Sequence, residues 1–197
     1  MAKRKLPLIV IGGIVIILLF LIVSTYNSLV NKEEKVKLQW NEVQNVYQRR
    51  LDLIPNIVNV VKGAADFEQT TLEKITETRT RASQVTLSAN EATGDNFQKV
   101  QAAQDSLASA TNRLIVSIEK YPSLKGTAAF SGLQTQLEGT ERRIKVARRD
   151  FNGAVADYNK SVRTFPTNVV SKLLGFSAKE GFVADPNADK AIEIKFN

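Results

Sequence analysis

Residues 6–23 read LPLIVIGGIVIILLFLIV and contain no charged side chain. At about 1.5 Å per residue, a helix of this length extends roughly 27 Å, close to the thickness of the hydrocarbon core of a bilayer. A cleavable signal peptide has a shorter apolar region and a small-x-small cleavage site, and residues 22–26 offer no such site. We therefore expect a retained transmembrane anchor over residues 6–26, preceded by a basic flank at residues 1–5.

The composition excludes several kinds of chemistry. The chain has no cysteine and no histidine, so it lacks thiols, the commonest general base and the commonest metal ligand. No nucleophile–base pair, metal-ligand spacing or phosphate-binding loop is recognisable, and we expect no enzymatic activity, catalytic residue, metal or cofactor. The net charge of +7 suits anionic lipid headgroups better than nucleic acid, because no aromatic platform accompanies it.

Beyond the anchor, apolar residues recur at spacings of three and four, which is typical of helices packed in bundles. Gly63, Gly94, Tyr121-Pro122 and Phe165-Pro166 interrupt this pattern. Short connections between the helices predict an all-α fold in which an antiparallel, up-down four-helix bundle spans residues 27–176. The first and fourth helices are predicted to be the long ones, and the first continues directly from the anchor.

Polar side chains interrupt the apolar seams of this predicted bundle. Arg50, Arg79 and Gln104 occupy seam positions, and Glu68 and Glu141 lie at or near such positions. A buried charge must be paired, so these five residues form a candidate buried polar layer. The layer is either a ligand-binding or switching site inside the bundle, or a device that sets the register of the helices.

Only the two long helices are predicted to reach the membrane, where they form a stalk. Two helices cannot cover all the apolar residues of this stalk, which favours lateral self-association into homo-oligomers. These residues are Tyr26, Leu29, Val30 and Val36 on the first helix and Phe151, Val155, Tyr158 and Val162 on the fourth.

The chain is predicted to return to the membrane plane after the fourth helix. Candidate membrane-interface residues are Tyr26, Val169, Val170, Leu173, Leu174 and Phe176. In the alternative interpretation, this segment folds back and covers the stalk. The polar tail at residues 177–197 is expected to be largely disordered.

Several segments resemble the LemA family of bacterial membrane proteins. They include residues 26–30 (YNSLV), 49–56 (RRLDLIPN), 121–124 (YPSL), 147–152 (ARRDFN) and 165–166 (FP). The sequence departs from the family pattern at Phe67, where the family often has His, and at Phe151, where it usually has Tyr. The resemblance implies an N-terminal anchor and a helical bundle, and it implies no biochemical activity.

The orientation in the membrane has two opposing indications. The basic flank at residues 3–5 lies closer to the apolar segment than Lys32, Lys35 and Lys37 do, which predicts an extracytoplasmic, periplasmic bundle. Descriptions of the LemA family instead place the short N-terminus outside.

Together these features favour a non-enzymatic, single-pass protein of the bacterial membrane whose bundle is a scaffold or interaction module. Its expected partners are the lipid bilayer, further copies of itself and other membrane proteins, with no nucleic acid. One member of the LemA family is implicated in building magnetosome membranes, which by analogy favours a membrane-organising role. The alternative function is a sensor or ligand-binding bundle that uses the buried polar layer.

Overall fold

The described part of the chain is helical. This computed structural model describes residues 6–63, 67–85 and 94–183, and no strand occurs among them. The helices are α1 (Leu6–Lys62), α2 (Gln69–Gln84), α3 (Gly94–Ile118), α4 (Pro122–Lys125), α5 (Ala128–Arg163) and α6 (Thr167–Leu173). The prediction of an all-α chain is confirmed for these residues. The basic flank at residues 1–5 and residues 184–197 of the predicted tail lie outside the described residues.

Helix α1 carries both the apolar segment and the first helix of the packed domain. It continues through Pro55 and runs for 57 residues, a length of about 86 Å. Among the described residues it is the one helix long and apolar enough to cross a membrane, and its apolar window is not buried against the protein. The apolar segment is therefore joined to the packed domain by continuous helix, with no loop between them.

Helices α1 and α5 form the most extensive pairing in the described chain. Near the apolar segment Lys32 binds Ser161, and further along Arg50 binds Glu141. Residue numbers thus rise along α1 as they fall along α5. Helix α2 packs against α3 and against α1, which attaches α2 and α3 to this long pair.

Helix α4 occupies a position where the sequence pattern predicts only a break. Pro122 begins it, and the fixed φ of proline suits the first turn of a helix. The hydroxyl of Thr127 then accepts a hydrogen bond from the backbone N–H of Phe130 at 3.2 Å, which caps the start of α5. The predicted break is a connector that turns the chain from α3 into α5.

The apolar core consists of two clusters that follow one another along α1. The first is rich in aromatic rings, includes Trp40 and Phe151, and ends on α1 at Tyr47. The second is mainly aliphatic and begins on α1 at Leu51. A single helical turn of α1 therefore separates the two clusters, and that turn contains Arg50.

Most of the stalk is covered within the chain itself. Tyr26 is 45% exposed and Val30 is half-buried, but the other predicted stalk residues are buried, among them Leu29, Val36, Val155, Tyr158 and Val162. The expectation that two helices leave the stalk uncovered is wrong for these buried residues, because α6 folds back against both α1 and α5. The structure thus agrees with the alternative interpretation, in which the segment after α5 folds back and covers the stalk.

The first residues of the predicted tail also pack against the domain. Residues 177–183, which we call the strap, run without helical structure along α5. The ring of Phe182 packs against the aromatic cluster, and the side chains of Asn152 and Asn159 hydrogen-bond to the strap backbone. The expectation of disorder is wrong for these residues, because buried aromatic surface and satisfied backbone groups order them.

Candidate functional site

Arg50 is the centre of the buried polar layer. Its side chain is 2% exposed although it is charged. The guanidinium donates from Nε to Oε1 of Glu141 at 2.7 Å and from Nη2 to Oε2 at 2.5 Å. Nη1 donates to the backbone carbonyl of Gln104 at 3.1 Å and lies 3.3 Å from its Oε1 atom. This is a two-pronged ion pair, the geometry in which arginine binds a carboxylate most strongly.

Three helices supply this layer at the junction between the two apolar clusters. On α3 the clusters contribute Val100 and Leu107, and Gln104 lies between them. On α5 they contribute Leu137 and Ile144, with Glu141 between. Apolar clusters lie on both sides of the layer. If one helix slid along another, Arg50 would therefore leave Glu141 and Gln104 and enter apolar surroundings.

The other two candidates for the layer lie apart from the Arg50–Glu141 pair. Arg79 on α2 is half-buried, and its Nε donates to the backbone carbonyl of Leu51 at 2.9 Å. Glu68 immediately precedes α2, is exposed, and accepts a hydrogen bond from the hydroxyl of Thr71. Arg79 therefore borders the layer, whereas Glu68 is outside it because the packed face of α2 begins further along the helix.

A second polar cluster, not expected from the sequence, adjoins the layer. Arg148 donates from Nε to the hydroxyl of Tyr47 at 2.8 Å and from Nη2 to Oδ1 of Asp105 at 2.7 Å. Burial raises the pKa of the Tyr47 hydroxyl, and the nearby Arg148 guanidinium opposes that rise. Arg148 belongs to a basic run of α5. In the sequence, the one indication that it lies at the edge of the packed face is its position directly after the buried Ala147.

A cavity of about 170 Å³ borders the polar layer. Its wall includes Gln104 together with Gln44, Asn45, Gln48 and Leu51. The amides can both donate and accept hydrogen bonds, while Trp40, Val85 and Val100 add apolar surface, so the wall suits a small molecule that carries both polar groups and apolar surface. Within residues 6–63, 67–85 and 94–183, no group of three or more carboxylates is placed to hold a metal ion.

The candidate membrane-interface residues gather where α6 folds back beside α1. The ring of Tyr26 lies 5.9 Å from the ring of Phe176, edge to face. Tyr26 follows the apolar segment by three residues, about 4.5 Å of helical rise. The chain just after α6, at Phe176, therefore lies beside the first helical turn that follows the apolar segment.

Helix α6 has a covered side and an exposed side. Ser171 is buried, and its hydroxyl donates to the backbone carbonyl of Val162 at 3.0 Å, while Val170 and Phe176 are half-buried. The exposed fractions are 60% for Val169, 76% for Leu173, 43% for Leu174 and 79% for Phe165. Phe165 begins the segment predicted to return to the membrane plane, although it was not singled out with the individual interface residues. It joins them because the chain turns at Pro166 and brings α6 back beside the end of α5.

Comparison with known proteins places this architecture among membrane-associated helical proteins. The sequence model of the LemA family matches residues 39–196, which include α2 to α6 and most of the packed part of α1. The magnetosome protein MamQ 2 of Paramagnetospirillum magneticum is 23% identical over 186 residues, which cover 85% of this chain and 68% of that protein. Protein LemA of Metamycoplasma hominis is 25% identical over 155 residues, which cover 79% of this chain and 67% of that protein. The magnetosome protein MamQ of Magnetospirillum gryphiswaldense is 23% identical over 184 residues, with 85% and 68% covered.

Proposed function

Because the chain belongs to the LemA family, we propose that it is a non-enzymatic, single-pass membrane protein whose helical domain is a scaffold or interaction module at the bacterial membrane. The observation that carries this proposal is helix α1, whose exposed apolar window continues without a loop into the packed domain. The domain is thereby held at a set height and direction beside the bilayer. Relatives named as magnetosome proteins support a membrane-organising role for this chain as well.

The proposed architecture of the module is an antiparallel up-down bundle of α1, α2, α3 and α5, with α4 as a connector. The opposite course of residue numbers along α1 and α5 supports it. The pairing of α2 with α3 supports the second half of the arrangement. In such a bundle the Arg50–Glu141 pair sets the register of the helices.

We propose that the exposed face of α6 lies in the interface of the bilayer as a second membrane contact. Val169, Leu173 and Leu174 are exposed beside the end of the apolar segment, where lipid is the nearest apolar surface. Lys172 on α6 and Arg163 at the end of α5 are also exposed and can meet anionic headgroups. Apolar side chains flanked by cations are typical of segments that bind membrane surfaces.

A single fluorophore tests this contact, because the chain has no native cysteine. A Leu173→Cys variant carrying the dye, reconstituted in liposomes, should show blue-shifted emission that lipid-borne quenchers reduce. Leu38→Cys is the matched control, since Leu38 is 62% exposed but lies about 22 Å beyond Val23 along α1. Equal insensitivity to the quencher at both positions would show that α6 does not touch the bilayer.

Self-association and orientation complete the proposal. The stalk is mostly covered within the chain, so the apolar window of α1 is the surface that we propose for lateral contacts with further copies or with other membrane proteins. We propose an extracytoplasmic domain from the charges that flank α1. Val116 is 68% exposed, so a Val116→Cys variant should react with a membrane-impermeant maleimide in intact cells if the domain faces outward.

The second candidate function is a sensor or ligand-binding domain. The cavity of about 170 Å³ beside Gln104 favours it, because a molecule bound there would contact the polar layer directly. A ligand that binds only the folded state raises the apparent stability of the protein, so a thermal-shift screen of small compounds that carry both polar groups and apolar surface is the appropriate test. A hit should disappear in a Gln48→Leu variant, which removes an amide from the cavity wall.

A further inference from the structure

The strap is held to α5 by two asparagine side chains that bind its backbone. Asn159 donates from Nδ2 to the carbonyl of Lys179 at 2.8 Å, and its Oδ1 accepts from the backbone N–H of Lys179 at 2.8 Å. Asn152 makes the same pair of bonds to Phe182, at 3.0 and 2.7 Å. Each amide thus pairs with one residue of the strap as a neighbouring β-strand would.

The spacing of these asparagines matches an extended peptide. Asn152 and Asn159 are seven residues apart on α5, which places them on one face about 10.5 Å apart. Lys179 and Phe182 are three residues apart, and an extended chain covers about 10 Å in three residues. Helix α5 therefore presents two amides at the same separation as two residues that are three apart in an extended segment.

Two side-chain sites lie beside this pair of amides. Phe182 lies among three rings, with centroid distances of 6.2 Å to Trp40, 4.8 Å to Phe97 and 5.5 Å to Phe151. Nζ of Lys179 lies 2.9 Å from Oε1 of Glu33 on α1. The surface beneath the strap therefore has an aromatic pocket and an acidic site, three peptide residues apart.

A third position of the strap must be small. A Cβ atom on Gly181 would lie 2.8 Å from Oδ1 of Asn152, closer than real Cβ contacts. That oxygen cannot move away freely, because it accepts the hydrogen bond from the backbone of Phe182. Glycine is thus required directly before the aromatic residue.

We propose that the surface beneath the strap, the strap groove (Glu33, Trp40, Asn152 and Asn159), is a docking site for an extended peptide of the pattern cation–x–Gly–aromatic. The strap occupies this groove in cis and keeps it closed, because a tethered segment has a high effective concentration. The inference rests on the proposed role as an interaction module and names the kind of partner segment that the module binds. The liposome test of α6 does not depend on it, so the two can fail separately.

The probe is a fluorescently labelled synthetic peptide of residues 176–183, FSAKEGFV, added to the full chain in detergent. The Phe182→Ala and Gly181→Ala variants release the strap by two different means and leave the groove residues unchanged. Both should bind the peptide at least tenfold more tightly than the wild-type chain does, as measured by fluorescence anisotropy. Val183→Ala is the matched control, since Val183 is 74% exposed, and it should bind the peptide no better than wild type.

Three further measurements identify the groove as the binding site. Adding Asn152→Ala and Asn159→Ala to the Phe182→Ala chain should abolish peptide binding, and a peptide with Ala in place of its second Phe should not bind. Trp40 is the only tryptophan, so its emission should shift when Phe182 is removed and return when the peptide is added. Circular dichroism establishes that each variant keeps its helical content.

Two results would overturn the proposal. One is a helical Phe182→Ala or Gly181→Ala chain that does not bind the peptide, or that binds the Phe-lacking peptide equally well. The other is a wild-type dimer that Phe182→Ala converts to a monomer with no gain in peptide binding. That second result would assign the groove to the strap of a second copy.

Discussion

Replacing Arg50 with alanine is expected to destabilise the folded chain by about 3 kcal/mol, at the low end of the range for breaking a buried ion pair. Arg50 is 2% exposed and holds both carboxylate oxygens of Glu141. Its removal also takes away the hydrogen bond to the Gln104 carbonyl, but that carbonyl lies inside α3 and keeps the N–H of Ala108 as its helical donor, so this loss adds little. Glu141 keeps 30% of its side chain exposed, so water replaces part of what it loses.

Glu141→Ala should be the more damaging change, with a loss of about 5 kcal/mol. It leaves the guanidinium of Arg50 buried without a carboxylate, whereas Arg50→Ala removes the buried charge itself. The double variant should lose less than the sum of the two single losses, with a coupling energy of about 0.5–3 kcal/mol for residues in direct contact. Glu141→Ala is expected to cost more than Arg50→Ala because the side chain left behind is more buried: Arg50 is 2% exposed, whereas Glu141 is 30% exposed.

The assay is urea denaturation of the full chain in detergent, followed by circular dichroism at 222 nm. Arg49→Ala is the matched control, because Arg49 is the exposed neighbour on the same helix, and its loss should stay within about 0.5 kcal/mol. A loss below about 0.5 kcal/mol for Arg50→Ala would refute the reasoning, since that is the range of a solvated side chain. An Arg50→Ala loss clearly larger than that of Glu141→Ala would contradict the role assigned to burial.

The remaining predictions concern pH, backbone conformation and assembly. Burial, followed by the charge of Glu33, raises the pKa of Tyr158 to about 12, above about 10 for an unfolded tyrosine. The folded state therefore binds the hydroxyl proton of Tyr158 more tightly than the unfolded state does. The stability that this difference contributes is complete below pH 10 and is lost between about pH 10 and 12. Tyr158→Phe should therefore reduce the loss of stability between pH 8 and pH 11, as measured by urea melts at the two pH values. Gly175 has φ of 80°, so Gly175→Ala should cost about 1–2 kcal/mol in urea melts. Gly153 is an exposed residue of α5 where a Cβ would meet no atom within 4 Å, so Gly153→Ala should instead stabilise the fold by about 1 kcal/mol. Light scattering of the detergent-solubilised chain should give a protein mass above the 21.8 kDa of one copy, and 21.8 kDa at every concentration would exclude self-association through α1.

The sequence by itself determined the features that depend on local periodicity. An uncharged run at residues 6–23 can only be a helix if it crosses a bilayer, because no other single segment satisfies its own backbone groups there. Spacings of three and four identified the long helices and placed Trp40 and Ile54 in the core. The same spacing placed Arg50 on a buried face, since a helix buries a residue according to its position in the repeat and not its charge.

Only the tertiary structure decided which polar groups meet. Glu68 and Glu141 are both carboxylates near predicted seams, but only Glu141 lies opposite Arg50, because the relative height of α1 and α5 depends on packing between distant segments. The strap is the clearest case, since its order depends on Asn152 and Asn159, which precede it by 20 to 30 residues. A short polar segment has no periodicity that reveals this pairing. Its structure depends on a groove that exists only after the long helices have packed.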